Sequence, residues 1–237
     1  MTSVALIGPD GAGKSSVIRN VAHRLPVPSR TIYMGVNLES STLMLPTTRL
    51  ILEAKRRRGG RPDMVGATGG QPKDDATAAR GPLRQVRSGL RLANWMAEEW
   101  FRQGVAWANQ RRGRVVIFDR HFFCDYYATD VAGKRADRPW TRRVHGAMLE
   151  RFYPRPDLVI MLDAPAEVLH DRKGEGTLES LERMRQDYLA LEPVVERFVR
   201  VDATQDKETV TRDVLAAIMG LVEGRAAGTP ALRTGDA

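Results

Sequence analysis

The chain has only one cysteine, Cys124, among its 237 residues. A single thiol excludes an intrachain disulfide and is typical of proteins in a reducing cytosol. The sequence also lacks a run of about 18 consecutive apolar residues, the length that a membrane-spanning helix needs. Its N-terminus has neither a basic leader nor a secretory cleavage pattern. Together these absences predict a cytoplasmic protein without a transmembrane helix.

Positive charge is in excess, since 37 lysines and arginines face 29 acidic residues, for a formal net charge of +8. This charge suits nucleotide phosphates, nucleic acid and anionic lipid alike, and so does not choose among them. Its densest part is the basic run 55–61, which begins with Lys55. A solvated helix C-terminus explains such a run without a partner, because cations stabilise that end of a helix. We therefore expect no nucleic-acid partner and keep an anionic membrane surface as a secondary alternative.

Apolar runs and helical periodicity alternate along the chain, which predicts an α/β fold. Five runs are predicted as strands: Val4–Ile7, Thr31–Met34, Val115–Phe118, Leu158–Leu162 and Phe198–Val201. Alternation of strands and helices is typical of a parallel sheet with right-handed crossovers. The expected fold is a three-layer P-loop kinase fold, in which a five-stranded parallel sheet is flanked by helices and carries a lid segment. Ligands of such sheets bind at the carboxyl ends of the strands.

Helical spacing predicts four long helices: Leu83–Asn109, Trp140–Phe152, Leu178–Leu191 and Lys207 to about Leu221. In the first, one broad apolar face is formed by Leu83, Val86, Leu90, Ala93, Ala97, Phe101, Gly104 and Ala108. Three tryptophans lie beside it and are expected to pack in the core: Trp95, Trp100 and Trp107. We predict a single domain over residues 1–222, with a flexible glycine-rich insertion at about 55–82 and a disordered tail at 223–237.

The segment Gly8-Pro9-Asp10-Gly11-Ala12-Gly13-Lys14-Ser15-Ser16 matches the phosphate-binding loop pattern G-x-x-x-x-G-K-[ST]. An apolar strand precedes it and a helical pattern follows, which is the context that the motif requires. Backbone N–H groups of the glycine-rich turn and the positive end of the helix would bind an anion. Lys14 would reach the β- and γ-phosphates, and the Ser15 hydroxyl would ligate Mg²⁺.

Two further strand ends carry candidate residues. The third strand ends in Asp119-Arg120-His121. An acid at the carboxyl end of a neighbouring strand is predicted to hold the metal or its water shell, rather than to cap a helix. Arg120 would stabilise charge on a transferring phosphoryl group. The segment 170–177 follows the fourth strand, and its Arg172 and Lys173 are candidates for a lid over the phosphates.

On these motifs the chain resembles the thymidylate kinase family, over roughly residues 1–220. The anchors are Gly8–Ser15, Asp119-Arg120-His121, Leu162-Asp163-Ala164-Pro165 with Arg172, and Val201-Asp202-Ala203. The resemblance implies ATP as donor, Mg²⁺ held through Ser15 and Asp119, Lys14 on the transferred phosphate and Asp10 between acceptor and metal. It also implies an Arg120 clamp, lid cations Arg172 and Lys173, an adenine beside Asp202 and Ala203, and a homodimer formed through long helices. It assigns no role to Asp163.

Two segments depart from the family pattern where the acceptor would bind. The family's Arg-Glu-Pro-Gly-like stretch is replaced by residues 33–40, and its Ser and Ala-Tyr-Gln segment by Cys124-Asp125-Tyr126-Tyr127-Ala128. Altered pocket chemistry predicts an altered acceptor, because buried polar groups reject ligands that leave them unpaired. A nucleoside monophosphate is the first candidate on family grounds. The alternative is a sugar, a lipid-linked compound or a secondary-metabolite intermediate.

A nucleotide-binding switch without transfer chemistry is the other alternative. A GTPase would need an Asn-Lys-x-Asp motif, and no asparagine of the chain is followed by lysine. Asp63-Met64-Val65-Gly66 fits D-x-x-G, but it follows Arg61-Pro62 and not an apolar strand. The sequence therefore favours an ATP-dependent kinase.

Overall fold

In the computed structural model, one parallel sheet organises the chain. The structure describes residues 1–36, 38, 41, 43–59, 82–132, 138–174 and 176–228. The strands are β1 (Thr2–Ile7), β2 (Ser29–Tyr33), β3 (Val115–Asp119), β4 (Leu158–Asp163) and β5 (Phe198–Asp202). Their order is β2-β3-β1-β4-β5, and every pairing is parallel. The predicted fold class is confirmed, and each strand begins and ends within two residues of its predicted bounds.

Eight α-helices and one π-helical turn join the strands in the described residues. They are α1 (Lys14–Arg24), α2 (Pro46–Arg57), α3 (Pro82–Arg111), α4 (Phe122–Tyr126), the π-turn Tyr127–Ala132, α5 (Trp140–Arg151), α6 (Ala166–Lys173), α7 (Leu178–Leu189) and α8 (Lys207–Gly228). One apolar cluster fills the sheet face covered by α1 and α8, and a second fills the face covered by α3, α4 and α5. The sheet thus lies between two helical layers.

Strand register brings three loop-bearing ends together. Leu6 of β1 and Tyr33 of β2 both align with Asp119 of β3. Because all three strands run in the same direction, the residues that follow them emerge at one edge of the sheet. Residues separated by more than 80 positions in sequence become neighbours there.

The apolar face predicted on the long helix points away from the core. Val86, Leu90 and Phe101 are among the exposed large hydrophobic residues of the chain. The buried side of α3 is instead partly polar and includes Glu98, Glu99, Arg102 and Gln103. Ion pairs compensate these charges in the interior, which apolar periodicity does not reveal. The three tryptophans are half-buried at the border of this face.

The C-terminal helix is longer than expected. α8 continues to Gly228, so the predicted end near Leu221 and the disordered tail from 223 are wrong for residues up to 228. At the insertion predicted for 55–82, residues 55–57 belong to α2 and residue 82 begins α3. Residues 60–81 and 229–237 lie outside the described residues. No helix in the described ranges is long and apolar enough to cross a bilayer.

Candidate active site

A glycine-rich loop joins β1 to α1 in the arrangement that the motif predicts. Gly8, Gly11 and Gly13 have φ of 146°, 89° and 85°, a region that other residues rarely adopt. A Cβ atom on Gly8 would lie 2.6 Å from the Leu162 carbonyl oxygen, and one on Gly11 would lie 2.5 Å from that of Leu169. The loop therefore needs glycine at these two positions both for its backbone conformation and for its close contact with β4 and α6.

Lys14 lies at the first turn of α1 with its side chain folded against the loop. Its Nζ donates to the carbonyl oxygens of Gly8 at 2.6 Å and Pro9 at 2.8 Å. Burial, followed by repulsion from Arg120, lowers the pKa of Lys14 to about 8 against the opposing pull of Asp10 and Asp119. These bonds hold the ammonium group against the backbone of the glycine-rich loop.

A hydroxyl and a carboxylate meet across the junction of β1 and β3. Ser15 Oγ donates a 3.1 Å hydrogen bond to Asp119 Oδ2. Oxygen atoms of this kind are the ligands that Mg²⁺ prefers, and Mg²⁺ is commonly held by one or two carboxylates together with substrate phosphates. The structure thus brings together the two residues that the sequence predicted for the metal.

Arg120 has an unusual backbone and a buried, ion-paired side chain. It is the only non-glycine residue among those described with a positive φ, at 68°. One guanidinium nitrogen lies 2.7 Å from Asp10 Oδ1. Burial opposes its charge, but Tyr188, Asp125 and Asp10 outweigh this effect and raise the Arg120 pKa. Strained backbone of this kind is concentrated at functional sites.

Asp10 completes the ion pair from the phosphate-binding loop. Burial raises its pKa, but Arg120, Lys14 and Lys173 outweigh burial and hold it below the ordinary value. Lys173 approaches the same carboxylate oxygen at 3.9 Å. Asp10 is therefore ionised in the folded protein, and it links the loop to the Asp-Arg segment and to α6.

Asp125 and Tyr188, which were not among the predicted site residues, interact electrostatically with Arg120 and Asp10. Asp125 on α4 is half-buried, and its Oδ1 accepts a 2.8 Å hydrogen bond from the Tyr188 hydroxyl on α7. Burial raises the pKa of Asp125 even though Arg120 and Lys14 act to lower it. The sequence marked Asp125 only as part of a departure from a family pattern, and Tyr188 only as a residue within the predicted helix Leu178–Leu191. The hydroxyl of Tyr188 was the one local signal that this helix could bond to another segment.

The predicted lid cations lie at the end of α6. Gly174, with φ of 65°, caps the helix immediately after Arg172 and Lys173. Arg172 donates a 2.7 Å hydrogen bond to the carbonyl oxygen of Ala203. Asp202 Oδ1 accepts bonds of 2.9 and 2.6 Å from the backbone N–H and hydroxyl of Thr204, which shape the turn after β5. The structure thus brings the lid segment against the turn that the sequence associated with adenine.

No family model matches the chain. Thymidylate kinase of Xylella fastidiosa (strain 9a5c) is 30% identical over 233 residues, covering 94% of this chain and 92% of the relative. This chain belongs to the thymidylate kinase family. Thymidylate kinase of Pseudomonas putida (strain GB-1) is also 30% identical, over 93% of this chain and 96% of its own. The chain is therefore a phosphotransferase of the P-loop class, in the nucleotide kinase branch.

The segment after β2, whose sequence departs from the family pattern, is held in place by Arg102. This guanidinium, which is fully buried, donates to the carbonyl oxygens of Tyr33 at 2.9 Å and Gly35 at 2.6 Å. It also pairs with Glu98 at 2.8 Å, and Glu98 in turn accepts the backbone N–H of Leu45. The segment after β2 is thereby fastened to α3. Residues 37, 39 and 40 of that segment lie outside the described residues.

Asp163, to which the family pattern assigned no role, is held by two arginines. Arg185 Nε lies 2.6 Å from its Oδ1, and an Arg200 nitrogen lies 2.8 Å from its Oδ2. Burial raises the pKa of Asp163, but these bonds outweigh burial and lower it. The carboxylate therefore ties the end of β4 to β5 and α7, which is a structural contribution to the site's frame.

Proposed function

We propose that this member of the thymidylate kinase family transfers the γ-phosphoryl group of ATP, with Mg²⁺, to a small acceptor bound beside Arg120. The observation that carries the proposal is the convergence of three pairs at one sheet edge. Lys14 lies against its loop, Ser15 bonds to Asp119, and Asp10 pairs with Arg120. Phosphoryl transfer depends on positioning and charge stabilisation, for which these groups are suited.

The donor would bind along the loop and the first turn of α1. Backbone N–H groups of Gly11, Ala12, Gly13, Lys14, Ser15 and Ser16 would contact its phosphates, with Gly8 opening the turn. Lys14 would bind the transferred phosphoryl group. Arg172 and Lys173 would approach the phosphates from α6, and Asp202 and Ala203 would border the adenine.

The residues present fit a magnesium ion. Ser15 and Asp119 offer hard oxygen atoms, and no cluster of three or more His, Cys, Asp or Glu in the described part of the chain offers a rival site. A bound Mg²⁺ would neutralise charge on the donor phosphates. Ser15 and Asp119 would hold and orient it, while Asp10 and Arg120 would align the acceptor with the donor.

Two observations bear on the identity of the acceptor, and they favour different classes of compound. Curated relatives are named thymidylate kinase, which makes a nucleoside monophosphate the first class to test. Residues 33–40 and 124–128 depart from the family pattern, and they favour the second class, a non-nucleotide acceptor. Arg102 binds the backbone of the first segment, and Asp125 of the second bonds to Tyr188. Both classes use the same phosphoryl-transfer groups.

We also propose that two copies pair through the outward apolar face of α3, as the family resemblance implies. Val86 and Leu90 are 61% and 69% exposed, which is unusual for residues of this size in one stripe. Phe101→Glu should convert a dimer to a monomer in light scattering coupled to size exclusion. An unchanged mass for the variant would contradict this contact.

The test of the proposed function is ADP formation by purified protein with Mg·ATP, alone and with acceptors. Lys14→Ala should abolish acceptor-stimulated ADP formation, because the ammonium group no longer meets the transferred phosphate. Arg151→Ala, at the exposed end of α5, is the matched control and should keep the wild-type rate. Wild-type turnover in Lys14→Ala, or preference for GTP over ATP, would contradict the proposal.

A further inference from the structure

A cavity of about 130 Å³ lies between α3, α5 and the π-turn. Its polar walls are formed by Ser88 and Arg91 of α3, Asp130 of the π-turn, and Thr141, Arg142 and His145 of α5. None of the described residues that line it was assigned to ATP, Mg²⁺ or the acceptor. The cavity is therefore a separate place in the molecule at which a ligand could bind.

The inner wall of this cavity is held by a close approach of α5 to the π-turn. A Cβ atom on Gly146 would overlap the carbonyl oxygen of Asp130, so that position of α5 needs glycine. The approach places His145 Nδ1 2.6 Å from Asp130 Oδ2, and Arg142 donates to Oδ1 of the same carboxylate, also at 2.6 Å. Single π-helical turns are rare and are frequently found at functional sites. The wall is therefore a specific arrangement of charged groups, and not a chance gap between helices.

Positive charge exceeds negative charge around the cavity. Arg91, Arg142 and His145 are the cations of the lining. Burial opposes the imidazolium, but bonds to Asp130 and Glu99 raise the pKa of His145 to about 9, so it is charged at neutral pH. Asp130 is the acid of the lining, and Glu99 contacts the far nitrogen of His145 at 2.9 Å. With both acids ionised, these three cations face two carboxylates and one positive charge remains.

The helix surfaces beside the cavity add to this excess. α3 has no acidic residue before Glu98, and α5 has none before Glu150. Two further arginines are exposed on these helices, Arg87 and Arg143. An anion that approaches the cavity is therefore attracted over these surfaces, whereas a cation is repelled.

The lining offers mainly hydrogen-bond donors. Both carboxylate oxygens of Asp130 are already bonded, one to Arg142 and the other to His145. Arg91 has no hydrogen bond or ion pair with any other described residue, and Arg142 uses one of its nitrogens on Asp130. Guanidinium groups donate and never accept, and the hydroxyls of the lining can also donate. A negatively charged ligand with several acceptor oxygens matches this lining.

The size of the cavity narrows the class of ligand. Its volume of about 130 Å³ is several times the roughly 30 Å³ that one water molecule occupies in the liquid, so a tetrahedral oxyanion fits. It is smaller than the roughly 300–1,000 Å³ of sites that enclose a drug-sized molecule, so a whole nucleotide would not be enclosed. Arginine is well matched to phosphate, because its planar fork can donate two parallel hydrogen bonds.

We propose that this cavity is an anion site for a phosphate group, carried by a small phosphate ester or present as free phosphate, separate from the phosphoryl-transfer site. Arg91 and Arg142 would bind the phosphate oxygens from α3 and α5, and Ser88 and Thr141 would donate further hydrogen bonds. A bound anion would offset the like charges of the two arginines and tie α3 to α5 across the π-turn. The π-turn continues directly from α4, which begins just after Arg120, so occupancy would also stiffen the acceptor side of the active site.

Calorimetric titration with inorganic phosphate tests this site, with saturating Mg·ADP present so that the glycine-rich loop is occupied. Arg91→Ala truncates an exposed side chain of the lining, and Arg143→Ala is the matched control, which removes the same charge outside the lining. Arg120→Ala removes the cation of the phosphoryl-transfer site. Glycerol 3-phosphate is titrated in parallel to distinguish an ester from the free ion. Circular dichroism checks that each variant is folded.

Wild type should bind one phosphate, and Arg91→Ala should bind it roughly tenfold more weakly, because a charge-assisted hydrogen bond is lost. Arg143→Ala should change Kd by about twofold or less at about 0.15 M salt, where exposed charges are screened. Arg120→Ala should keep the wild-type affinity. Tighter binding of glycerol 3-phosphate than of phosphate assigns the site to an ester, and the reverse order assigns it to the free ion.

Equal affinity in wild type and Arg91→Ala would overturn the inference. A loss in Arg143→Ala as large as that in Arg91→Ala would show diffuse attraction, and a loss in Arg120→Ala alone would place the ion in the phosphoryl-transfer site; either result also overturns it. The same holds if wild type binds phosphate more weakly than about 10 mM. Failure to bind Mg·ADP would contradict the proposed function alone, since the comparison of Arg91→Ala with wild type decides the anion site with or without nucleotide.

Discussion

The buried charges around His145 make the stability of this protein depend on pH in the alkaline range. Asp130 Oδ2 lies 2.6 Å from His145 Nδ1, and Glu99 Oε1 lies 2.9 Å from its Nε2. Arg142 pairs with the other oxygen of Asp130 at 2.6 Å. Burial opposes the imidazolium, but bonds to Asp130 and Glu99 outweigh it and raise the pKa of His145 to about 9.

The direction of this pKa shift determines whether the contribution of His145 to stability rises or falls with pH. A histidine whose pKa is raised on folding stabilises the folded state fully below its ordinary pKa of 6.5, and loses that contribution as pH rises through about 9. With these two values, the contribution of His145 falls from about 3 kcal/mol at pH 6.5 to about 1.4 kcal/mol at pH 8. Asp130 is ionised throughout this range because its pKa is lowered on folding.

Urea unfolding at pH 6.5 and pH 8.0, followed by tryptophan fluorescence, measures this change. The loss of unfolding free energy between the two pH values should be larger in wild type than in His145→Gln, by at most about 1.6 kcal/mol. The difference is smaller than the full contribution of His145 because removal of the imidazolium raises the pKa of Glu99 further, so the variant has a pH-dependent loss of its own. Lys14 and His121 also titrate on folding, but they are present in both proteins and cancel in the difference. His23→Gln, on an exposed face of α1, is the control and should retain the wild-type slope. Equal slopes in wild type and His145→Gln would refute the charged imidazolium.

Three further substitutions test the residues that form and support the site. Arg120→Ala should lower kcat by about 3 kcal/mol equivalents, roughly 150-fold, if the guanidinium meets developing charge, and a wild-type kcat would remove that role. Gly11→Ala should weaken ATP binding at least tenfold in calorimetry, since its Cβ would lie 2.5 Å from the Leu169 carbonyl oxygen at φ of 89°; unchanged affinity would show that the loop need not hold this shape. Arg102→Met should cost about 3–5 kcal/mol in urea unfolding, because Glu98 is left charged and unpaired in the interior; a loss below about 1 kcal/mol would contradict that pairing.

Short sequence motifs were enough to predict the residues of the donor side of the site. The glycine pattern before Lys14 specifies a turn, and a continuous apolar run ending in Asp119 specifies a buried strand and its exit. Since parallel strands place their carboxyl ends at one edge, Ser15 and Asp119 are expected at the same edge, and the pairing of β1 with β3 brings them within 3.1 Å of each other. The roles of these residues in catalysis stay predictions.

The acceptor side could not be predicted, because its contacts join distant segments. Tyr188 meets Asp125 across 63 residues, and Arg102 meets Gly35 across 67. Neither pair has a local pattern. The orientation of α3 was missed for a related reason: a helix with charged residues inward and Phe101 outward reverses the usual rule for an amphipathic helix.

The buried Arg102 side chain limits where substitutions can alter the specificity of this protein. Removing it would strand Glu98 and free the strand exit at Gly35, so this side of the cavity is as resistant to change as the hydrophobic interior. Substitution is less restricted at Asp125, the one half-buried residue of α4, because its side chain holds no other segment's backbone, whereas the remaining residues of that helix are buried. Diversification among relatives should therefore concentrate there, while the opposite wall stays constant.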